Sequence, residues 1–455
     1  MEAWLKSALN YIPQWLDFQI QLTEQPGCVV AIASKGRVIL DEAFGFANIE
    51  TKRKLTPRHR FQVASHSKTF TAAAVLKLSE EGLLRLDDTA GLYIKGLHPA
   101  VADTKISQLL SHSGGLIRDG YDAAYWRDRR PFLSESKLRI ALREPPIIES
   151  GTRFKYSNHA FGLIGLIIES VAEEPYFDYV QRLIVEGSKL QETWADGPAP
   201  PNVVTAQGHS RKLPLGRRVI IPGNKPTHAL APATGFLSTA ADLARFFASL
   251  DSKAKRSVLS PASRNEMTRI HWEDVSAFEE RYYGLGVMIG KTGGWNWFGH
   301  MGAFPGFLSR TVVVPEVDLS ISLLTNSVDA PSSIWSDALL HILQTFAKRG
   351  GPSAKTRTWE GRWWDLWKTL DFVPMGDHVL VTDPGSPVPF RDASEITITN
   401  RDQGTINSAP GLGNFGEEAR LVRRTNGVIR EAWLGGTRLS PKNGIAAELK
   451  RKYES

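Results

Sequence analysis

Residues 65–78 read SHSKTFTAAAVLKL, so that Ser65 and Lys68 stand three positions apart at the start of a run of helix-forming residues. Residues three apart lie on one face of a helix, and the Lys68 amine can therefore reach the Ser65 hydroxyl. A serine becomes a good nucleophile beside a base, and a lysine serves as that base when burial or nearby positive charge lowers its pKa. The first turn of a helix, with its unpaired N–H groups, disfavours a protonated lysine and favours a developing oxyanion. We predict a helix that opens at Ser65 and holds a nucleophile and its base.

The same Ser-x-x-Lys spacing occurs at residues 134–137 and 252–255, so the spacing alone is weak evidence. Both of those segments are rich in charge and typical of exposed surface. The helix after Ser65 is apolar up to Gly82 and is expected to be buried and rigid, as a catalytic site requires. The ordinary alternative for Ser65 is a helix N-cap, a role that serine fills well.

Two further motifs favour catalysis over capping. Tyr156-Ser157-Asn158 lies on a turn that leads into an apolar stretch at residues 161–168. Turns of this kind often face clefts. His300-Met301-Gly302 lies in a glycine-bracketed segment, residues 299–307, that leads into a β-rich run. Glycines at such a place let a substrate lie close to the backbone.

With Ser-x-x-Lys, Tyr-x-Asn and His-x-Gly in this order, the chain resembles the serine β-lactamase and penicillin-binding-protein-like hydrolases. The resemblance is greatest to the branch that holds class C β-lactamases, D-aminopeptidases, D-alanyl carboxypeptidases and related esterases. It runs from about Gly27 to about Leu343. The resemblance implies an acyl-enzyme mechanism that needs no metal and no cofactor.

The resemblance also implies a role for each motif residue. Ser65 attacks the substrate carbonyl, and Lys68 and Tyr156 share the proton transfers, with the choice of base between them left open. Asn158 holds the acyl-side amide of the substrate. The backbone N–H groups of Ser65 and Ala303, the latter beside Gly302, form the oxyanion hole. His300 completes the site as the third motif.

The third motif departs from the Lys-Thr-Gly of many relatives. A literal Lys291-Thr292-Gly293 precedes His300 by nine residues, and we interpret it as the turn of a β-hairpin. A neutral imidazole attracts anions less than a lysine does. This disfavours a β-lactam or a free carboxylate as the main substrate, and favours amides, peptides with a free amine, or esters.

Three functions follow as hypotheses. The first is a serine hydrolase that acts on amide bonds of small or D-amino-acid-containing peptides or amides. The second is a carboxylesterase or a weak β-lactamase on the same scaffold. The third is a catalytically silent ligand-binding protein, which the presence of every motif residue argues against.

Other side chains allow two interpretations. Tyr121 and Trp126 follow the Gly114-Gly115 turn in a polar loop, where they either line the substrate cleft or pack in the core. His112 and His159 suggest a metal site, but no further ligands stand at metal spacing, and structural histidines are the better interpretation.

Composition limits the remaining function classes. The net charge of +7 is dispersed over 55 basic and 48 acidic residues, without a basic run interleaved with aromatic residues, so no nucleic-acid partner is expected. The one cysteine excludes an intrachain disulfide. No apolar run is long enough for a membrane span, and the amphipathic N-terminus does not resemble a signal peptide. We expect a cytoplasmic enzyme whose substrates are small molecules or short peptides. The sequence does not decide whether it forms a homo-oligomer.

Hydrophobic periodicity predicts an α/β fold with an antiparallel sheet and a helical lobe, followed by a small β-barrel or sandwich. The family resemblance implies that the sheet is β-lactamase/transpeptidase-like, with helices on both faces, and that the small all-β domain is a lipocalin-like barrel. We predict a catalytic domain at residues 1–347, with an N-terminal helix at 1–25. A linker at 348–357 and the barrel at 358–455 follow. The predicted strands of the catalytic domain are residues 29–33, 37–45, 284–289, 295–299, 308–314 and 319–325.

Overall fold

The computed structural model describes residues 1–213, 215–277, 279–410 and 413–454. The chain forms two compact units. One is Gln25–Ser336, and the other combines Met1–Glu24 with Asp337–Ser455. Residues 1–24 therefore group with the C-terminal strands. The division of the chain into functional domains at residues 347 and 358 stays a prediction.

The strands of the main sheet come from both ends of the larger unit's sequence, and short strands lie between them. They are β1 Gly27–Ser34, β2 Arg37–Asn48, β3 Arg53–Lys54, β4 Phe61–Gln62, β5 Gly208–His209, β6 Ile220–Ile221, β7 Leu237–Ser238, β8 Trp272–Glu273, β9 Arg281–Tyr283, β10 Met288–Thr292, β11 Trp295–Phe304, β12 Phe307–Val314 and β13 Leu319–Thr325. Nine of them form one antiparallel sheet in the order β3-β2-β1-β13-β12-β11-β10-β9-β8.

The helices lie mostly between β4 and β8. They are α1 Ala3–Leu22, α2 Ser67–Glu80, α3 Ala90–Tyr93, α4 Pro99–Ala102, α5 Ile106–Leu110, α6 Glu135–Ala141, α7 Asn158–Ala172, α8 Tyr176–Val180, α9 Ala231–Thr234, α10 Ala240–Ser249, α11 Pro261–Thr268, α12 Ser332–Arg349 and α13 Lys442–Tyr453. Across the described residues, the helices all fall short of the length and apolar character that a bilayer-spanning segment needs.

Helix α2 is the central element of the larger unit. Its residues are buried from Ser67 to Leu76. The Phe70 ring is sandwiched between Phe236, with ring centroids 4.4 Å apart, and Phe246 of α10, at 3.9 Å. Stacked rings in a close-packed core leave little freedom for the helix to shift. The first turn of α2 is thereby a rigid base for a site.

The second unit contains an antiparallel sheet of eight strands in sequence order. A pair of backbone hydrogen bonds between Trp364 and Ser440, each 2.8 Å, links its first strand to the residue after its last. The predicted C-terminal barrel is confirmed as this nearly closed, barrel-like sheet. Its strands are β14 Gly361–Trp364, β15 Thr369–Met375, β16 His378–Thr382, β17 Ser394–Asn400, β18 Gln403–Ser408, β19 Glu418–Arg423, β20 Ile429–Leu434 and β21 Thr437–Leu439.

The predicted mixed α/β fold with an antiparallel sheet is also confirmed, but one predicted strand is wrong. Residues 284–287 form a turn, and β10 begins only at Met288. Gly286 adopts φ +68°, and a Cβ there would lie 2.7 Å from the carbonyl oxygen of Lys68. The close approach of this turn to α2 requires glycine and prevents an extended strand.

Candidate active site

Ser65 lies in a short 3-10 turn, Ala64–His66, immediately before α2. The nucleophile is therefore one step ahead of the α-helix proper, whereas the sequence predicted the helix to open on it. Ala64 has the left-handed φ of +47°, a conformation that a residue with a side chain adopts only when its surroundings hold it there. Within residues 61–76, a stretch that is described in full, Ser65 is the only residue that is not buried.

The Ser65 hydroxyl has two side-chain partners. Nζ of Lys68 lies 3.2 Å from Ser65 Oγ, and the Tyr156 hydroxyl donates a 2.8 Å hydrogen bond to the same oxygen. The structure therefore brings these three predicted catalytic residues together on one atom. Their catalytic roles stay predictions.

The Lys68 amine is fully buried and has two further oxygen partners. It donates to Oδ1 of Asn158 at 2.7 Å and to the backbone carbonyl of Ala233 at 2.9 Å. Ala233 belongs to the short helix α9, and the segment that follows α9 pairs with β4 next to the nucleophile. Sequence reasoning did not identify Ala233, because a backbone carbonyl leaves no signature in the residue type.

Burial shifts the pKa values of the two candidate bases in opposite directions. Burial lowers the pKa of the Lys68 amine well below its usual value; the charge of Asp119 opposes this shift and that of Arg118 adds to it. For Tyr156, a partly exposed residue, burial raises the pKa of the phenol. The resting site therefore favours a neutral amine beside a protonated phenol.

The turn that carries Tyr156 is fixed from two sides. The Tyr156 ring packs on the His112 imidazole with centroids 4.1 Å apart, and Nδ1 of His112 accepts a hydrogen bond from the Ser157 N–H at 3.2 Å. The Ser157 hydroxyl caps α7 by accepting from the Ala160 N–H at 3.0 Å. Asn158, the first residue of α7, is thereby directed at Lys68.

Asp119 is a partly buried acid that the sequence did not indicate as part of the site. Its Oδ1 accepts from the Asn158 amide nitrogen at 2.6 Å and from the Trp126 indole at 2.9 Å. Trp126 thus supports the site through Asp119. Tyr121 is 84% exposed and lines a small apolar pocket with His159. Cleft-lining roles for Tyr121 and Trp126 stay predictions.

His300 is buried on β11 and has both ring nitrogens engaged. Nε2 lies 2.9 Å from the Tyr283 hydroxyl, and Nδ1 lies 2.7 Å from the Met301 carbonyl. A carbonyl only accepts, so Nδ1 carries the proton and Nε2 accepts from Tyr283. Burial lowers the pKa of His300 well below its usual value, which keeps the ring neutral. His300 is thus a buried, neutral side chain with both ring nitrogens hydrogen-bonded, and its catalytic role stays a prediction.

The strand after His300 lies against the nucleophile turn. A Cβ on Gly302 would lie 2.2 Å from the Val63 carbonyl oxygen, so only glycine allows this approach. Ala303, the predicted second oxyanion donor, follows at an exposed position. Lys291 is also exposed and lies opposite Asn296 at the end of the β10–β11 hairpin, as the hairpin interpretation of Lys291-Thr292-Gly293 predicted.

The suggested metal ligands have other surroundings. Among the residues that the structure describes, no three His, Cys, Asp or Glu side chains lie together as a metal site requires. His112 supports Tyr156, and His159 is buried near Gly120. The expectation of a metal-free and cofactor-free mechanism stays a prediction.

Comparison with known proteins agrees with this geometry. The sequence profile of the family described as Beta-lactamase matches residues 18–343. Protein flp of Staphylococcus aureus (strain MW2) is 28% identical over 174 residues, which are 36% of this chain and 34% of that protein. The match thus spans about a third of that curated relative's length.

Two solved structures share the fold. The octameric penicillin-binding protein homologue from Pyrococcus abyssi has a TM-score of 0.67 at 22% identity, covering 95% of this chain and 99% of that one. The D-amino acid amidase from Ochrobactrum anthropi SV3 complexed with D-phenylalanine has a TM-score of 0.64 at 21% identity, covering 74% and 99% respectively.

Proposed function

The chain belongs to the Beta-lactamase family and is a serine hydrolase of that type, and from this premise we propose that it cleaves amide bonds of small or D-amino-acid-containing peptides or amides through an acyl-enzyme. One observation carries the proposal. Ser65 is the only residue of the segment 61–76 that is not buried, and the Lys68 amine and the Tyr156 hydroxyl both contact its hydroxyl oxygen. The D-amino acid amidase that shares the fold supports the amide class.

In the proposed mechanism Lys68 is the base. The neutral Lys68 amine takes the Ser65 proton as Oγ attacks the substrate carbonyl, and the backbone N–H groups of Ser65 and Ala303 stabilise the oxyanion. Tyr156, protonated in the resting site, gives its proton to the leaving nitrogen and regains one from Lys68. Water then attacks the acyl carbon as Lys68 takes one of its protons, and Lys68 returns that proton to Ser65 Oγ as the bond between Oγ and the acyl carbon breaks and the acid leaves.

The electrostatics of the third motif support an amide in place of a carboxylate-bearing β-lactam. The His300 ring is neutral and buried, and the Lys291 cation lies at the exposed end of a hairpin. A neutral pocket edge gives no charge-assisted bond to a substrate carboxylate. The carboxylesterase alternative would use the same Ser65, Lys68 and Tyr156, so only a comparison of ester and amide substrates distinguishes the two functions.

Labelling with a fluorophosphonate tests the nucleophile. We expect mass spectrometry to find the adduct on Ser65, and the Ser65→Ala variant to lose both labelling and turnover while keeping its fold. Ser134→Ala is the matched control, because Ser134 has the same Ser-x-x-Lys spacing but caps the exposed end of α6. An adduct on Ser134, or activity retained without Ser65, would refute the mechanism.

A substrate panel tests the bond type. We expect D-amino-acid amides and short peptides to be cleaved, and to be cleaved faster than L-amino-acid amides and a chromogenic cephalosporin. Activated p-nitrophenyl esters should react in either case, because their leaving group is much better than an amine. Fast ester hydrolysis without amide hydrolysis would establish the carboxylesterase alternative. Rapid cephalosporin turnover would contradict the argument from His300.

Assembly and location complete the proposal. The P. abyssi homologue is described as octameric, and we propose that this chain also self-associates. Light scattering of the full chain tests this, and a monomer at micromolar concentration would reject it. A cytoplasmic location stays a prediction from the sequence.

A further inference from the structure

We propose that Asp119 is a positioning residue that fixes the orientation of the Asn158 amide and thereby aims the lone pair of Lys68 at Ser65. This inference rests on the proposed function, because it concerns how the base of that mechanism is prepared. Asp119 acts through Asn158, which lies between the carboxylate and the amine.

The carboxylate determines which end of the amide faces Lys68. An ionised carboxylate accepts hydrogen bonds and donates none. The group 2.6 Å from Asp119 Oδ1 must therefore be the amide nitrogen of Asn158, and the amide oxygen must face the Lys68 amine 2.7 Å away. Without Asp119, nothing in these contacts prevents the amide from rotating by half a turn.

The orientation of the amide in turn directs the amine. A neutral amine has two N–H bonds and one lone pair. The Asn158 amide oxygen and the Ala233 carbonyl accept hydrogen bonds only, so they take the two N–H bonds of Lys68. The third neighbour is Ser65 Oγ at 3.2 Å, and the lone pair is left for its proton. A rotated amide would present its NH₂ to Lys68 and take the lone pair itself.

Asp119 is itself held in place. Its side chain is 12% exposed, and its second oxygen pairs with Nε of Arg118 at 3.0 Å. The Trp126 indole occupies the first oxygen together with Asn158. The Arg118 carbonyl accepts from the Asn158 N–H at 2.9 Å, which ties the Asp119 loop to the start of α7. These bonds give the carboxylate a fixed position, as a positioning group needs.

The test compares fluorophosphonate labelling rates of Ser65 across pH in full-length variants. Asp119→Leu removes the acceptor, and we expect its labelling rate to fall on the order of 100-fold, the range for loss of a positioned base. Asp119→Asn keeps an acceptor oxygen for Asn158 but loses the charge. We expect a rate within about 10-fold of wild type and a pH midpoint shifted down, since Asp119 raises the pKa of Lys68.

Asp122→Leu is the matched control, because Asp122 lies in the same loop and pairs with Arg130 at the surface. We expect wild-type labelling from it. Asn158→Leu should resemble Asp119→Leu, and the double variant should lose no more than the larger single loss. If Asp119→Leu does not fold, Asp119→Ala removes the same oxygens without added bulk.

Two results would overturn the inference. One is wild-type labelling by folded Asp119→Leu or Asp119→Ala. The other is a double variant whose loss is the product of the two single losses, because independent residues multiply. Failure of the proposed acyl-enzyme mechanism is distinguishable, since wild-type protein would then not label at Ser65 at all. Failure of the amide preference alone appears in the substrate panel and leaves the labelling test valid.

Discussion

Substituting Gly302 by alanine tests whether the contact between β11 and the nucleophile turn sets the geometry of catalysis. The added Cβ would lie 2.2 Å from the Val63 carbonyl oxygen and 2.5 Å from the Ser309 hydroxyl. The Val63 oxygen accepts from the His66 N–H at 3.2 Å, so it belongs to the turn that holds Ser65. Carbon and oxygen approach to about 3.3 Å, and the strand and the turn must therefore separate by about 1 Å.

A separation of this size has a predictable cost. Misplacing a reacting group by about 1 Å lowers rates on the order of 100-fold. Loss of one oxyanion donor costs a similar amount, about 3 kcal/mol of transition-state stabilisation. Because Ala303 follows Gly302 directly, we expect Gly302→Ala to lower the rate of Ser65 acylation on the order of 100-fold. Overpacking should also lower the free energy of unfolding by about 1–3 kcal/mol.

The assay is single-turnover acylation by an activated ester, corrected for the folded fraction from a thermal unfolding curve. Gly294→Ala is the matched control, because Gly294 lies in the turn of the β10–β11 hairpin and a Cβ there meets no atom within 4 Å. A folded Gly302→Ala protein that acylates at more than half the wild-type rate would show that this contact does not position the site.

Three further predictions concern buried ionisable groups. Burial lowers the pKa of His66 to about 4, so the wild type should lose stability as the pH falls from 6.5 to 4. In the His66→Gln variant, the free energy of unfolding should fall less steeply over this pH range than in the wild type, by about 1.4 kcal/mol per pH unit. Urea unfolding measures both slopes, and equal slopes would contradict the prediction. Asp371→Ala leaves the Arg362 guanidinium without the two bonds it makes to that carboxylate. It should cost about 3–5 kcal/mol in chemical unfolding, and a loss below about 1 kcal/mol would reject the pair as a stabilising contact. Lys68→Met should be inactive, yet its stability should fall less than that of the wild type as the pH is lowered from 10.5. A pH-independent difference between the two proteins would show that Lys68 stays protonated in the fold.

The sequence predicted the parts of the site that depend on local geometry. Ser65 and Lys68 meet because they are three residues apart, and Tyr156 and Asn158 share one short motif. Asp119 could not be assigned, because it lies 39 residues before Asn158 and meets it only through tertiary packing. No local pattern distinguishes a partly buried acid in a polar loop from a fully solvated one.

The fold shows the same division. Alternating and apolar runs predicted β1, β12 and β13 within a few residues of their bounds. The prediction failed at residues 284–287, where the approach of Gly286 to the Lys68 carbonyl overrides the β-forming residues. It also missed the 3-10 turn at Ser65, because the left-handed Ala64 is imposed by its surroundings and not by its own preference.

The placement of Lys68 joins the stability of this enzyme to its chemistry. In the unfolded chain the amine holds its proton up to about pH 10.5, whereas burial favours the neutral form in the fold. Below pH 10.5 folding must therefore release a proton, and this lowers stability by about 1.4 kcal/mol for each pH unit until the folded-state pKa is reached. At pH 7 the total cannot exceed about 5 kcal/mol, the free energy of deprotonating an ordinary lysine there. Methionine removes this term. It also leaves the oxygens of Asn158 and Ala233 without a donor, but that cost does not vary with pH. The slope of the stability difference against pH therefore isolates the charge state of Lys68. If the free energy of unfolding of the wild type minus that of Lys68→Met rises with pH, the fold holds the amine neutral and ready to act as the base. If this difference does not vary with pH, the base is Tyr156.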